Sequence, residues 1–232
     1  MKSEADHASL QSTLADVEAR YRKQPNRSVA TLRRLRREIS REWRALPGAK
    51  VLALAESLVA NGNCPRWFAF ELAHYHREAM SQLSAAWLQR LGKGNCEWHH
   101  VDPFACYLLG PAYREGGVTD AEIARWARSK DRWRRRSALV STVALNNKAR
   151  GGHGDTRRTL AVCDLLRGDR DDMVVKAMSW ALRALVVTDP KAVEQYIARH
   201  EAELAPRVLR EVRNKLGTGL KNPRKKPASP RR

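Results

Sequence analysis

What most constrains this chain is a rhythm of helix breakers laid over apolar residues at helical spacing. Val51, Leu52, Leu54, Ala55, Leu58 and Val59 form one apolar stripe, Ile123, Trp126 and Ala127 begin another, and Val174, Val175, Met178, Ala181, Leu182 and Leu185 make a third. Recurrence every three or four residues puts such side chains on one face of an α-helix, and no strand-like alternation lasts beyond a few residues. Breakers divide the chain at Pro47-Gly48, Gly62-Asn63, Gly92 to Asn95, Gly116-Gly117, Gly151 to Gly154, Gly168 and Asp189-Pro190. Thr119, Asp155 and Asp189 stand where N-caps are needed, since their side-chain oxygens can accept from the free N–H groups of the next turn. The expected fold class is all-α.

The breakers set helical hairpins beginning near Pro47, Ser81, Thr119, Asp155 and Asp189, in steps of roughly 34–38 residues, close to the range of helical repeats. The second helices of three units resemble one another: Pro65 to Ala69, Arg132 to Arg136, and Met173 to Arg183. Two short helices cannot bury their apolar face alone, so the core must come from stacking on neighbours. The expectation is a superhelical solenoid of antiparallel hairpins forming one domain over residues 1–217, with an irregular helical bundle as the alternative. Residues 218–232 hold six basic residues, three prolines and no acid. Such a segment cannot bury apolar surface and is expected to be a disordered basic tail.

Charge narrows the partners. The chain has 232 residues and a formal net charge of +19, with 44 Lys+Arg against 25 Asp+Glu. Self-repulsion of that size is relieved by a polyanion, with nucleic acid the first candidate and an anionic membrane surface the second. No apolar run is long enough to span a bilayer, and the first residues lack the apolar core of a signal peptide. Arginines crowd one N-terminal helix at Arg33, Arg34, Arg36, Arg37 and Arg41, and recur from Arg125 to Arg136, then at Arg157, Arg158, Arg167, Arg170, Lys176 and Arg183. Charge repeated in successive hairpins reads as a stripe that tracks phosphates, a task for which the planar guanidinium fork is suited.

Cys64, Cys96, Cys106 and Cys163 form no CxxC pair and read as small reduced core residues in a cytosolic protein. His99 and His100 next to Asp102 do not combine with Cys96 or Cys106 in a metal-ligand spacing, so no metal or cofactor is expected. His74 and His76 would point to different sides of a helix and read as structural or surface residues.

The segment Cys96-Glu97-Trp98-His99-His100-Val101-Asp102 sets Trp98 and Asp102 four apart, on one face if the segment is helical. Trp180 interrupts a helix otherwise apolar and basic. Periodicity alone would make these two core tryptophans, a capping aspartate before Pro103 and, at Arg136, a surface arginine.

Three stretches carry a resemblance: Trp98-His-His-Val-Asp102, Trp133-Arg-Arg-Arg136-Ser-Ala, and Val175-Lys-Ala-Met-Ser-Trp180-Ala-Leu-Arg183. In order and approximate spacing they resemble the AlkD-like DNA alkylation-repair glycosylases, built from HEAT-like repeats; Asp189-Pro190-Lys-Ala-Val and Leu204-Ala-Pro206 also fit. The likeness covers roughly residues 14–216 and is better in the second half. It implies a monofunctional DNA glycosylase of base excision repair. Such an enzyme hydrolyses the N-glycosidic bond of cationic N3- and N7-alkylpurines in duplex DNA, without flipping the base. It implies Asp102 as the catalytic carboxylate, Trp98 and Trp180 flanking the lesion, Arg136 on a phosphate, and Tyr21 near the lesion, with Arg135, Lys176 and Arg183 completing the DNA contacts. His99 and His100 depart from the family's acidic or small polar residues at those places, and the N-terminal repeat is shorter and richer in arginine. The expected protein is monomeric and cytoplasmic, associated with the nucleoid. The alternative is a non-catalytic HEAT-repeat scaffold for damaged or branched DNA.

Overall fold

The computed structural model describes residues 2–223, with side chains from residue 8 onward. Among them there is helix and no strand, as the spacing of apolar residues requires, and no helix is long and apolar enough to cross a membrane. The chain folds as two compact units, Met1–Ile123 and Ala124–Arg232.

The first unit contains α1 (Lys2–Arg22), α2 (Val29–Glu42), α3 (Gly48–Asn61), α4 (Arg66–His74), α5 (Arg77–Ser81), α6 (Ala85–Leu91), α7 (Trp98–Phe104) and α8 (Gly110–Arg114). Helix α9 (Asp120–Ala127) crosses the boundary. The second unit contains α10 (Arg132–Asn146), α11 (Thr156–Leu166), α12 (Asp172–Leu185), α13 (Pro190–Arg199) and α14 (Pro206–Thr218). The expected starts at Thr119, Asp155 and Asp189 hold. Asp155 accepts from the Arg158 amide and Asp189 from that of Ala192, each at the N-terminus of a first helix. Thr119 and Glu122 form a reciprocal capping box, each side chain accepting from the other's backbone N–H. Ser81 instead ends α5, and the next helix opens at Ala85.

In the second unit, α12 packs between α10 and α14, while α11 and α13 cover these second helices from the other side. Every residue from Arg136 to Asn146 is buried, because α10 has neighbours on several faces. In the first unit, α4 lies against α2 on one side and α7 on the other, and α3 packs on α1, α4, α5 and α6.

Several polar contacts between helices span separations close to the spacing of the breakers. Arg90 Nε donates to Glu56 over 34 residues, Arg135 Nε to Asp169 over 34, Thr156 to Asp189 over 33, Arg207 to Asp172 over 35, and Arg167 to Glu203 over 36. Each joins positions about one repeat apart. The buried Asn146 does the same within a hairpin. Its Nδ2 donates to the Thr142 carbonyl and to Thr159 Oγ1, and its Oδ1 accepts from the Asp155 amide.

The Arg-rich α2 departs from the expected stripe. Arg36 is buried beside Glu71 of α4 at 3.3 Å and lies over the Tyr75 ring, and Arg33 donates to the other Glu71 oxygen at 3.0 Å. Both therefore serve packing between α2 and α4, because a carboxylate buried on α4 must be paired. Cys64, Cys106 and Cys163 are buried as expected, but Cys96 is exposed in the loop before α7. The beginning of the expected basic tail is also ordered: α14 ends at a left-handed Gly219, and Lys221 O accepts from Asn214. The rest of that tail, from residue 224, lies outside the described residues.

The loop closing α10 onto α11 gives a test. A Cβ at Gly152 would stand 2.5 Å from the carbonyl oxygens of Ala144 and Leu145, which are backbone atoms and cannot swing aside. Gly152→Ala should cost about 1–3 kcal/mol by overpacking, read as a lowered midpoint in urea denaturation with an unchanged slope.

Candidate nucleic-acid interface and catalytic residues

In the first unit the candidate carboxylate sits on an irregular helix. The loop before it is pinned by Arg66, whose Nη1 donates to the Lys93 carbonyl at 2.7 Å and to Asn95 Oδ1 at 3.0 Å. Glu97 is extended, and its carbonyl accepts from the amides of His100 and Val101, which opens α7. Trp98 is thus the first residue of α7 and Asp102 stands one turn further on, the register the spacing required. Trp98 is 57% exposed and Asp102 half-buried. The helix runs on through Pro103, so Asp102 lies within it and is not a cap.

Two prolines shape the helical run beyond Asp102. Pro103 has no N–H to donate to the His99 carbonyl, nor Pro111 to that of Tyr107, four residues back in each case. Between them the chain widens into a π-helical turn, Ala105–Leu109. His74 Nδ1 lies 2.8 Å from the Tyr107 carbonyl. A carbonyl only accepts, so this nitrogen carries the proton and locks α4 to the widened turn beneath Asp102. His76 accepts the Ala79 amide at the start of α5. Each histidine of that pair thus has one ring nitrogen engaged with the backbone. His99 Nδ1 lies 3.1 Å from Glu97. Burial, helped by His99 and Arg66, holds His100 below the usual histidine range, so it is neutral at neutral pH.

In the second unit, Trp180 is half-buried on α12 between two open grooves. One, of about 570 Å³, is lined by Arg136, Lys176, Trp180, Arg183, Arg207, Arg210, Glu211, Lys221 and Asn222. The other, of about 360 Å³, includes Lys148, Lys215, Asn147 and Val187. The expected residues Arg136, Lys176, Trp180 and Arg183 are therefore brought together. Arg136 is not the surface residue that periodicity suggests: it is 6% exposed and donates to the Met173 carbonyl, which fixes its guanidinium between α10 and α12.

A buried carboxylate organises the cations. Glu211 accepts from Ser179 Oγ at 2.6 Å, and Ser179 Oγ accepts from Arg183 Nε at 3.1 Å. Lys221, Arg183 and Arg207 stand 3.5, 3.9 and 4.0 Å from Glu211. Burial lowers the Arg183 pKa, with Glu211 opposing the shift. Asp172 also pairs with Lys176 at 2.6 Å and Arg207 at 2.8 Å, so two carboxylates stand against the six cations of the lining and leave the groove positive, a fit for phosphate. Arg207, Arg210, Glu211 and Lys221 are absent from the sequence-based set. The i, i+3, i+4 spacing of the first three on α14 was the available signal.

Over residues 12–216 the chain matches the model of a family described as DNA alkylation repair enzyme. The chain belongs to that family. Comparisons with curated proteins and with solved structures gave no match. A DNA alkylation repair role and DNA as partner follow from the family. Two members of the expected DNA-contacting set of this repair protein are turned inward. Tyr21 is buried against Phe68 and covered by Arg27, so neither ring face is offered to a ligand. Arg135 is committed to Asp169 and to the carbonyls of Ser129 and Lys130.

Glu211 supplies the test of this interface. Glu211→Gln keeps the shape but removes the charge that holds three cations together, and should cost about 1–3 kcal/mol of stability. Affinity for undamaged duplex should rise at the same time, because a negative charge has left a phosphate-facing groove. Thermal denaturation and filter binding read the two effects separately.

Proposed function

We propose that this DNA alkylation repair protein is a HEAT-like helical solenoid and a monofunctional glycosylase, releasing cationic N3- and N7-alkylpurines from duplex DNA. The observation that carries the reading is the pair on α7: a largely exposed indole, Trp98, one turn ahead of a half-buried carboxylate, Asp102. Exposing an indole forfeits its burial energy, and a ligand that covers it restores that energy.

A purine alkylated at N3 or N7 is positively charged and already a good leaving group. The remaining barrier is charge development on the sugar as the N-glycosidic bond breaks. Asp102 stabilises the oxocarbenium-like sugar and orients the water that adds to it, as a carboxylate does in glycoside hydrolysis. An exposed indole face such as that of Trp98 attracts a cationic nucleotide, worth roughly 0.5–2 kcal/mol depending on desolvation, and Trp180 offers the same chemistry in the second unit. Lys176, Arg183 and the clamped Arg136 hold phosphates and set the register. The cavities beside Trp180 are open grooves bordered by cations, which supports a reaction in which the base is never enclosed. Selectivity then comes from the charge and lability of the lesion.

Asp102→Asn should reduce base release from methylated duplex by about 10²–10³, while duplex affinity stays the same or rises. Unchanged release would remove Asp102 from the mechanism. Affinity for undamaged duplex should fall with salt at a log–log slope of roughly −5 if six phosphates are held, and a slope near zero would remove DNA as the ligand. A bulky cationic N7 adduct should be released only modestly more slowly than a methyl adduct, whereas the neutral etheno-adenine should be a poor substrate.

A further inference from the structure

A groove of about 850 Å³ lies in the first unit, between the C-terminal half of α2 and the start of α5. It shares no residue with the carboxylate helix or the Trp180 grooves. Its walls carry Arg36, Arg37, Arg41, Arg44 and Arg77, with Glu78 the one acidic residue among the described residues lining it. Arg37, Arg41, Arg44 and Arg77 are exposed, and none pairs with a carboxylate among the described residues. Four unpaired cations around one concavity repel one another unless an anion enters.

The floor states what that anion must offer. Among the residues lining the groove, three side-chain polar atoms are buried and without a hydrogen-bond partner: Arg36 Nε, Ser40 Oγ and His76 Nε2. Arg36 Nε is 3.3 Å from Glu71 but lacks the alignment of a hydrogen bond. Arg36 and His76 are only 8% and 7% exposed. His76 Nδ1 is occupied as acceptor of the Ala79 amide. The proton of the ring is therefore on Nε2, which is a donor facing no acceptor. A guanidinium N–H, an imidazole N–H and a hydroxyl are three donors, and leaving buried donors unmet is costly. Water could meet them singly. Arg36 Nε stays beside Glu71, and a tetrahedral oxyanion answers the donors of Ser40 and His76 and the surrounding charge together.

We propose that this groove is a phosphate-binding site, recognising the phosphate group of a nucleic-acid ligand through Arg36, Ser40 and His76 on its floor and Arg37, Arg41, Arg44 and Arg77 on its rim. The phosphate comes from a duplex backbone held away from the lesion, or from a free phosphorylated ligand. The chemistry is the same, and the sources separate experimentally. Nothing in the assignment depends on base release.

The test is a titration of the full chain with inorganic pyrophosphate at fixed ionic strength, followed through the ring nitrogens of His76 by NMR. The expected result is a saturable shift of His76 Nε2. Arg41→Gln/Arg44→Gln removes two exposed, unpaired cations and should weaken pyrophosphate binding about tenfold. The charge-matched Lys191→Gln/Arg199→Gln, on α13 in the other unit, should change it less than twofold. The same variants are then measured on undamaged duplex. A parallel loss of duplex affinity in the first variant assigns the site to the DNA backbone, and duplex affinity retained assigns it to a free phosphorylated ligand. Shifts without saturation at His76, or equal weakening by both double variants, would overturn the site and leave only diffuse attraction of a polyanion to a basic protein. An absence of glycosylase activity would not touch any of these readouts.

Discussion

The structure depends on one constraint: a pair of short helices cannot bury its own apolar face. Helices must therefore lean on others farther along the chain. The bonds from Arg90 to Glu56, Arg135 to Asp169, Thr156 to Asp189 and Arg167 to Glu203 join helices at separations of 33 to 36 residues. Pairs at or near the surface contribute little energy each. Their effect is to fix the register in which apolar faces meet.

That constraint sorts the arginines. A basic chain carries more guanidinium groups than any ligand needs, and the fold divides them by what lies opposite. Where a carboxylate is buried, as at Glu71 and Glu211, the neighbouring arginines are drawn into the packing. Where a backbone carbonyl is presented between helices, as at Met173, a single guanidinium is clamped. Arginines with no such neighbour remain on the rims of the grooves. A positively charged surface thus arises beside the internal ion pairs, on the same helices, and partly through the same residues.

The carboxylate helix shows how local chemistry is positioned without regular structure. Two prolines eight residues apart remove two backbone donors from a continuous helical run, and a widened turn forms between them. The His74 ring meets the Tyr107 carbonyl that Pro111 cannot reach. Asp102 is thereby held on a segment anchored to α4, with Trp98 projecting one turn before it. A preorganised carboxylate is what stabilisation of a developing sugar cation demands, since an electrostatic contact that must first reorganise loses much of its worth.

By itself the sequence determined the all-helical class and the helix starts at Thr119, Asp155 and Asp189. These come from local rules: apolar spacing, the capping oxygens of Thr119, Asp155 and Asp189, and glycines at the turns. Motif spacing likewise placed Trp98 and Asp102 one turn apart, since four residues along a helix always share a face. What surrounds a side chain was decided by the tertiary structure alone. Tyr21 reads as a ligand contact, yet packing buries it beneath Arg27, and Arg136, a surface residue by periodicity, is clamped to Met173. Glu211, Arg210 and Lys221 gather beside Trp180, and Arg36, Ser40 and His76 line one groove, although only the spacing of Arg207, Arg210 and Glu211 on α14 hints at any of this in the sequence. Burial and pairing depend on neighbours a whole repeat away, and that distance is invisible to any local pattern.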